Sequence, residues 1–174
     1  ETPNASAGLG YVKTTMTGAN LNTFTAEKTA PGTSWGSVYA QFTQRTTDIA
    51  DASMGLSIKR ELLYDGELKV GSKVKVRITI TADRDYDFVQ VVDKRAACME
   101  PTSQLTGYRD GYYRSPRDNA TYYYTDMMRK GTHVIENTYY IDRPGTFTTG
   151  TCTVQCAYSP AYMARTKALT ITVK

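Results

Sequence analysis

The sequence predicts an all-β protein: an antiparallel, immunoglobulin-like β-sandwich with an N-terminal β-rich appendage. The main evidence is a hydrophobic period of two rather than 3.6. In addition, Thr is abundant and Tyr occurs 14 times among 174 residues, and both residue types favour pleated, half-buried surfaces. Turn residues separate about seven short segments, a spacing typical of a sandwich.

The clearest strand is predicted over residues 73–82. Val74, Val76, Ile78 and Ile80 alternate there with Lys, Arg and Thr, which indicates one face on a core and one face in water. The same alternation predicts further strands over residues 35–43, 56–64, 132–141, 146–158 and 168–173. Arg60 is an exception, because it interrupts the apolar face of the strand over residues 56–64.

Turns and loops divide the chain between these strands. Asp65-Gly66, Lys130-Gly131 and Pro144-Gly145 are typical turn sequences. Residues 94–115 are too irregular for a strand and are predicted to form a long loop, which in compact domains is usually functional or part of an interface. Residues 1–55 lack a convincing core of their own. We therefore predict a division into residues 1–55 and residues 56–174.

Composition excludes several classes of function. The net charge of +4 is small and scattered, so nucleic acid is not an expected partner. The sequence lacks any run of about 18 apolar residues, so no spanning helix and no membrane contact by this chain are expected. A single His argues against most metal sites and most His-dependent catalysis. We predict no cofactor, no metal and no enzyme activity.

Two features carry possible chemistry, and both have a simpler interpretation. Residues 83–87 (DRDYD) resemble the start of a calcium loop. An EF-hand needs Gly at the sixth position and Glu at the twelfth, but this chain has Phe88 and Lys94 there. A strand with outward-facing acids is the favoured interpretation. His133, the only imidazole, shares its strand side with Ile135 and is interpreted as a packed or edge residue rather than a catalytic base.

The three cysteines constrain one another. If Cys152 and Cys156 share a strand, their Cα atoms lie about 13 Å apart at about 3.3 Å per residue. A disulfide needs Cα atoms about 4.4–6.8 Å apart. Any bridge within the chain should therefore use Cys98, with either of the other two as its partner.

Two tyrosine runs are candidates for binding. Tyr112-Tyr113 lies in the predicted long loop with three Arg residues nearby, which favours an interface. Arg117-Asp118 is predicted to form a local ion pair that holds this loop. The second run, residues 122–124, is expected to pack on both faces of a strand; the alternative is a stacking platform for sugars or bases.

Several stretches, in fixed order, resemble one family: residues 56–62 (LSIKREL), 70–77 (VGSKVKVR), 83–89 (DRDYDFV), 95–101 (RAACMEP), 103–108 (SQLTGY), 121–124 (TYYY), 130–134 (KGTHV), 144–147 (PGTF) and 154–160 (VQCAYSP). Together they resemble the C-terminal macroglobulin-like domain of bacterial alpha-2-macroglobulins, particularly the Bacteroidetes type. Residues 34–41 (SWGSVYAQ) resemble the end of the CUB-like segment that precedes that domain, so residues 1–55 are interpreted as a remnant of it.

The resemblance implies a very long cell-envelope protein of many β-sandwiches that traps proteases. Cleavage of a bait segment collapses such a protein around the attacker, and a thioester attaches the attacker covalently in some members. The thioester motif Cys-x-Glu-Gln does not occur in this chain, since residues 98–101 read Cys-Met-Glu-Pro. We therefore expect a non-catalytic domain that is periplasmic or anchored to the outer membrane. Because the first residues resemble no targeting signal, that signal is expected outside this fragment.

The resemblance also implies roles for individual residues. Tyr112, Tyr113, Arg117, Asp118 and Tyr158 are implied to contact other domains of the parent chain, and the full-length protein would meet target proteases. A disulfide between Cys98 and Cys156 is implied, with Cys152 as the free thiol. The alternative function is a cell-surface adhesin or carbohydrate-binding module, which exposed, coplanar tyrosines lining a groove would favour.

Overall fold

The structure, a computed structural model, describes residues 13–17 and 23–174. The chain divides into two compact units, Glu1–Gln41 and Phe42–Lys174. In the first unit the described residues, 13–17 and 23–41, contain no strand and are exposed. The strand predicted over residues 35–43 is therefore wrong. Trp35 is 92% exposed, and no described strand supplies the backbone partners that a strand at this place would need.

The second unit contains all the strands of the described part of the chain. A 3-10 helix, Thr46–Asp48, precedes them. The strands are β1 (Ala52–Met54), β2 (Leu56–Leu63), β3 (Lys73–Ala82), β4 (Tyr86–Lys94), β5 (Met99–Pro101), β6 (Gly107–Arg109), β7 (Tyr112–Pro116), β8 (Ala120–Met128), β9 (Gly131–Ile141), β10 (Gly145–Thr148), β11 (Cys152–Cys156), β12 (Met163–Thr166) and β13 (Thr170–Val173). Their pairings are antiparallel. The predicted all-β antiparallel sandwich is confirmed.

The strands form two layers around one core. Hydrogen bonds connect them in the order β5-β9-β3-β2-β1-β12-β11-β4-β8-β7-β6, and β10 pairs with β13 separately. β1 links the layers, because it pairs with β2 on one side and with β12 on the other. The core between the layers holds fully buried side chains such as Ile78 of β3, Tyr139 of β9, Val91 of β4 and Val154 of β11. The compact unit of residues 42–174 also contains β1 and the 3-10 helix, both upstream of residue 56, and the domain boundary predicted at residue 56 stays a prediction.

Several strands follow the sequence pattern and two segments do not. β3 shows the expected alternation, with its Val and Ile residues buried. The segment 146–158, predicted as one strand, is two: β10 pairs with β13, whereas β11 lies between β4 and β12. The segment 94–115, predicted as a long loop, includes the short strands β5 and β6 and most of β7, because β5 pairs with β9 while β7 pairs with both β8 and β6.

Arg60 interrupts the apolar face of β2 because it forms a buried ion pair between the layers. Its Nη1 donates a hydrogen bond to Asp93 Oδ1 of β4 at 3.1 Å, and the two side chains are 1% and 2% exposed. Its Nη2 donates to Thr149 Oγ1 and Gly150 O, both at 2.6 Å. Burial raises the pKa of Asp93, and the positive charge of Arg60 opposes that rise.

The three cysteines are buried free thiols, and the Cys98–Cys156 bridge implied by the resemblance is not formed. Cys152 and Cys156 do share a strand, β11, where they pair with Asp93 and Val89 of β4. Cys98 follows the Asp93 end of β4, whereas Cys156 lies four residues away at the Val89 end. Cys98 lies next to β5, which pairs with β9 of the first layer, whereas the Cys156 thiol donates to the Asp87 carbonyl oxygen of β4.

Among the described residues, no helix has the length and apolar character needed to cross a membrane.

Candidate docking surface

The outer face of the second layer carries aligned rows of uncharged side chains. In one row Tyr108, Tyr113, Tyr124 and Gln90 are successive cross-strand partners on β6, β7, β8 and β4. The row continues as Gln155, Met163 and Met54 on β11, β12 and β1. The neighbouring row contains Ser115, Tyr122, Val92, Thr153 and, on β12, Arg165. These two rows, called the tyrosine face below, carry one charged side chain among twelve residues.

The outer face of the first layer has the opposite character. Lys75 and Arg77 of β3 point outward there and pair with Glu136 of β9 at 3.2 and 2.7 Å. Lys59 and Glu61 of β2 form a further ion pair at 2.8 Å. A charged face is suited to water, whereas few charges together with Tyr and Met are typical of the centre of a protein interface. The contrast marks the tyrosine face as the candidate functional surface.

The rings of the tyrosine face form a continuous array. The centroids of Tyr108 and Tyr113 lie 5.2 Å apart, and those of Tyr113 and Tyr124 lie 6.5 Å apart. The ring planes of Tyr122 and Tyr124 are parallel within 9°. Aromatic pairs attract one another at such separations. Tyr108 is 80% exposed, while Tyr113 and Tyr124 are 37% and 39% exposed. Substantial ring surface therefore remains available to a partner.

A strained residue forms one corner of this surface. Phe88 has φ +51°, a left-handed conformation that costs a bulky residue about 1–3 kcal/mol. It places Asp87 and Phe88 outward in succession, so that Tyr86 and Val89 both point inward. The Phe88 ring meets Tyr158 of the β11–β12 loop edge-on, with centroids 5.1 Å apart. Because Phe88 lies two residues from Gln90, this aromatic corner adjoins the tyrosine face.

Charged and polar contacts hold the chain beneath the corner. Tyr86 donates its hydroxyl to Asp83 Oδ1 at 2.5 Å, and its ring packs against Tyr162. Hydrogen bonding from Arg84 lowers the pKa of Asp83, and burial raises the pKa of Tyr86 to about 12. These contacts fix the start of β4 and so fix the strained residue that follows.

The acids that resemble a calcium loop contact cations of the protein itself. Asp83 binds Arg84 at 3.1 Å, and Asp85 binds Arg129 at 2.8 Å. Asp85 also accepts a hydrogen bond from the backbone N–H of Lys130, which is the main cause of its lowered pKa. In the part of the chain that the structure describes, no three His, Cys, Asp or Glu side chains are grouped to hold a metal ion.

The structure separates the five residues that the resemblance implied as an interface. Tyr113 lies on the tyrosine face and Tyr158 at its aromatic corner. Tyr112 points into the core, where it is 8% exposed and packs against Tyr123. Arg117 and Asp118 are exposed in the β7–β8 turn, at the far end of β4 from the corner. Their predicted ion pair is not among those that the described residues form; instead the Arg117 carbonyl accepts a hydrogen bond from Arg95.

Sequence reasoning missed two members of the surface, Tyr108 and Phe88, and it favoured packing over binding for Tyr122 and Tyr124. Alternation within residues 122–124 does place the first and third rings on one side of a strand. What the sequence does not show is the register of β7 on β8, which places Tyr113 opposite Tyr124. The left-handed backbone of Phe88 has no sequence signal, because Gly is the residue expected in that conformation.

Residues 38–161, well over half of the chain, match the family described as the bacterial alpha-2-macroglobulin MG10 domain. The chain belongs to this family. The resemblance found in the sequence is thereby confirmed at family level, while the Bacteroidetes type stays a prediction. A search of curated proteins finds no match.

Solved structures of alpha-2-macroglobulins from two bacteria share the fold. The Salmonella protein reacted with methylamine is 22% identical, with a TM-score of 0.64 over 73% of this chain. The trypsin-activated Escherichia coli protein is 17% identical, with a TM-score of 0.65 over 72% of the chain. A native Escherichia coli structure from domain MG7 to the C-terminus is 18% identical, with a TM-score of 0.64 over 74% of the chain. The matches cover 10%, 11% and 25% of those chains, so this chain spans a small part of their length.

Proposed function

We propose that this chain is a non-catalytic domain of an alpha-2-macroglobulin-like, protease-trapping protein of the bacterial cell envelope, and that it docks against neighbouring domains through the tyrosine face. The observation that carries the proposal is the pairing of family membership with an aromatic outer face that has one charge, opposite a face rich in ion pairs. Charge depletion and exposed Tyr and Met favour a protein partner over solvent.

The comparisons support a docking unit with the same fold in both functional states of a relative. The Escherichia coli relatives include a native form and a trypsin-activated form, and this chain superposes on them with TM-scores of 0.64 and 0.65. A sandwich that keeps its fold in both states can contribute to a conformational change by exchanging contacts at its surface. Such an exchange is the mechanism we propose for the tyrosine face.

The chemistry of the chain supports a role without catalysis. The three thiols are buried, and burial raises the pKa values of Cys98 and Cys152. A nucleophilic thiolate needs the opposite, an exposed site that lowers the pKa. The ring of His133 contacts the Arg129 carbonyl oxygen at 2.7 Å through Nε2. The covalent step of protease trapping would have to come from elsewhere in a parent protein.

Hydroxyl-radical footprinting tests the docking proposal. The 174-residue protein and the product of the complete reading frame are oxidised in parallel, before and after addition of trypsin. We expect Tyr113 and Tyr124 to be protected in the larger protein and their protection to change after trypsin cleavage. Tyr140, which is 43% exposed on the charged face, is the matched control and should be oxidised equally in both proteins. Equal oxidation of all three tyrosines would refute docking through this face.

A functional assay tests protease trapping itself. Trypsin captured by the larger protein should lose activity towards casein and keep activity towards a small chromogenic peptide. The double variant Tyr113→Ser/Tyr124→Ser should weaken this discrimination, whereas Tyr140→Ser should not. Full trapping by the double variant would leave the tyrosine face without a role in the process.

The parallel rings of Tyr122 and Tyr124 favour one second candidate, a carbohydrate-binding module. Affinity electrophoresis of the 174-residue protein through gels containing neutral polysaccharides distinguishes the two. Retardation that is lost in Tyr124→Ser supports sugar binding, and unchanged mobility excludes it for the polysaccharides used.

A further inference from the structure

A pocket of about 380 Å³ opens beside β7, β8 and β9, on the inner side of the β7–β8 pair and away from the tyrosine face. Tyr112, Arg114 and Tyr123 line it from the β7–β8 side, and Asn137 lines it from β9. Its volume falls within the range of about 300–1,000 Å³ that is usual for small-molecule sites.

Arg114 gives this pocket a buried cation. The residue is 6% exposed, and its guanidinium donates hydrogen bonds to the neutral oxygens of Ser103 (2.7 Å), Leu105 (3.2 Å) and the Asn137 side chain (3.2 Å). A guanidinium has five N–H donors, so two N–H groups remain beyond the three that these oxygens accept. Arg60, the other buried Arg, has Asp93 as its counter-charge. A buried cation held by neutral groups alone is costly, because nothing compensates the hydration that it has lost.

Tyr123 adds a buried hydroxyl to the same place. It pairs with Arg114 across β7 and β8 and is 3% exposed. Its hydroxyl oxygen lies beside the Arg114 guanidinium, and its O–H has no acceptor among the described residues. A buried O–H without an acceptor is a second polar group whose hydration has not been replaced. Both groups can donate hydrogen bonds, and an acceptor with negative charge would satisfy both.

The carboxylates at the rim of the pocket are already engaged. Glu136 binds Arg77 and Lys75, and Asp110 binds Arg109 at 3.3 Å. Arg114 is therefore the cation that remains for a ligand. The ring of Tyr112 and the side chain of Ile135 contribute apolar lining, which suits a hydrocarbon group that carries an acid.

We propose that this pocket binds a carboxylate, which accepts hydrogen bonds from the two remaining N–H groups of Arg114 and from the Tyr123 hydroxyl. Arginine and carboxylate groups match in geometry and form strong charge-assisted hydrogen bonds. The carboxylate belongs either to a small organic acid or to an Asp or Glu side chain of a peptide, since both present the same group. The proposal does not depend on docking through the tyrosine face, because the two sites share no residue.

Titration of the ¹⁵N-labelled 174-residue protein tests the proposal at constant pH and ionic strength. The probes are glutarate, a hexapeptide with one central Glu, and their uncharged counterparts, glutaramide and the Gln hexapeptide. We expect saturable shifts of the Arg114 Nε–H resonance with at least one acid, and at least about tenfold weaker binding of its amide. Binding of glutarate alone identifies a small acid as the ligand, and binding of the peptide alone identifies an acidic side chain. Equal binding of acid and amide, or no shift with any probe, overturns the proposal.

Two variants connect the binding to the named groups. Arg114→Gln should weaken acid binding by at least about tenfold, while Arg109→Gln at the exposed rim should have a much smaller effect. Arg114 also holds the loop that contains Ser103 and Leu105, so its variant could fail to fold. Tyr123→Phe is the second test, because it removes only the buried hydroxyl. We expect it to weaken acid binding several-fold without destabilising the unliganded protein. Unchanged acid binding in Tyr123→Phe would remove this hydroxyl from the site and overturn the proposal as stated.

Discussion

Removal of Arg60 should destabilise the sandwich more than any exposed charge, because it leaves a carboxylate buried between the layers. In Arg60→Met the Asp93 side chain, 2% exposed, loses its cation, and Thr149 and Gly150 lose a donor. Breaking a buried pair by removing one partner typically costs about 3–5 kcal/mol, and we expect a loss of free energy of unfolding in that range. Arg77→Met is the matched control, because its ion pair with Glu136 is about 40% exposed and should be worth less than about 1 kcal/mol.

The pH dependence gives the same experiment a second readout. Without Arg60, burial raises the pKa of Asp93 further. As the pH falls, Asp93 of the folded variant therefore binds its proton at a higher pH than Asp93 of the unfolded chain, which has a pKa of about 4. The stability of Arg60→Met should therefore rise relative to the parent as pH falls towards 4, and the deficit should be largest at neutral pH. The double variant Arg60→Met/Asp93→Leu should recover about 2 kcal/mol, because the uncompensated carboxylate between the layers is then gone.

Urea unfolding followed by the near-UV circular dichroism of the tyrosines measures these changes. The fluorescence of Trp35 is unsuitable, because that side chain is 92% exposed and lies in the first unit. A loss below about 1 kcal/mol in Arg60→Met, or a double variant as unstable as the single one, would refute the view that the pair holds the layers together.

Three further outcomes are expected. Gly55→Ala should cost about 2–4 kcal/mol in urea unfolding, because φ is +71° and the new Cβ would lie 2.1 Å from the Tyr86 hydroxyl. Gly66→Ala, with φ +64° and open space around it, should cost only about 1–2 kcal/mol; equal losses would contradict the clash. In 5,5′-dithiobis(2-nitrobenzoate) titration without reductant, the three cysteines should react slowly when folded and all react in urea; a single reactive thiol in urea would reveal a disulfide. Because the pKa of Tyr86 is raised to about 12, ionisation of the unfolded chain above about pH 10 should lower stability between pH 10 and 12. Tyr86→Phe should flatten that part of the pH profile of the urea midpoint, and an unchanged slope would contradict it.

How far the sequence predicts this structure depends on whether a feature is local. The strands β2, β3 and β9 follow from alternation, because each has one buried and one wet face. The alternation over residues 35–43 has the same appearance and yet forms no strand, since pairing depends on partners that no local pattern specifies. The alternation rule does not find the short strands β5 and β6, because three residues are too few to show a pattern. Only their pairing with a neighbouring strand defines them as strands.

The residues of the candidate site show the same difference between local and long-range features. Tyr113 was identified as an interface residue from its neighbours in sequence, and the structure places it on the outer face. Tyr112 was grouped with it, although successive residues of a strand point to opposite faces. The function of Arg60 and Arg114 depends on groups far away in the chain, Asp93 for one and Ser103 and Asn137 for the other. Such long-range partners cannot be inferred from one sequence by periodicity.

The strands at the two edges of the 11-stranded sheet, β5 and β6, are only three residues long, and β5 ends in Pro101. An incoming strand from another molecule would find few free N–H and C=O groups at either margin, and Pro offers no N–H at all. In a polypeptide that strings many sandwiches together, truncated margins of this kind would keep one sandwich from adding its strands to the next. Each unit can then complete its own fold beside close copies of the same architecture without cross-pairing or fibre growth.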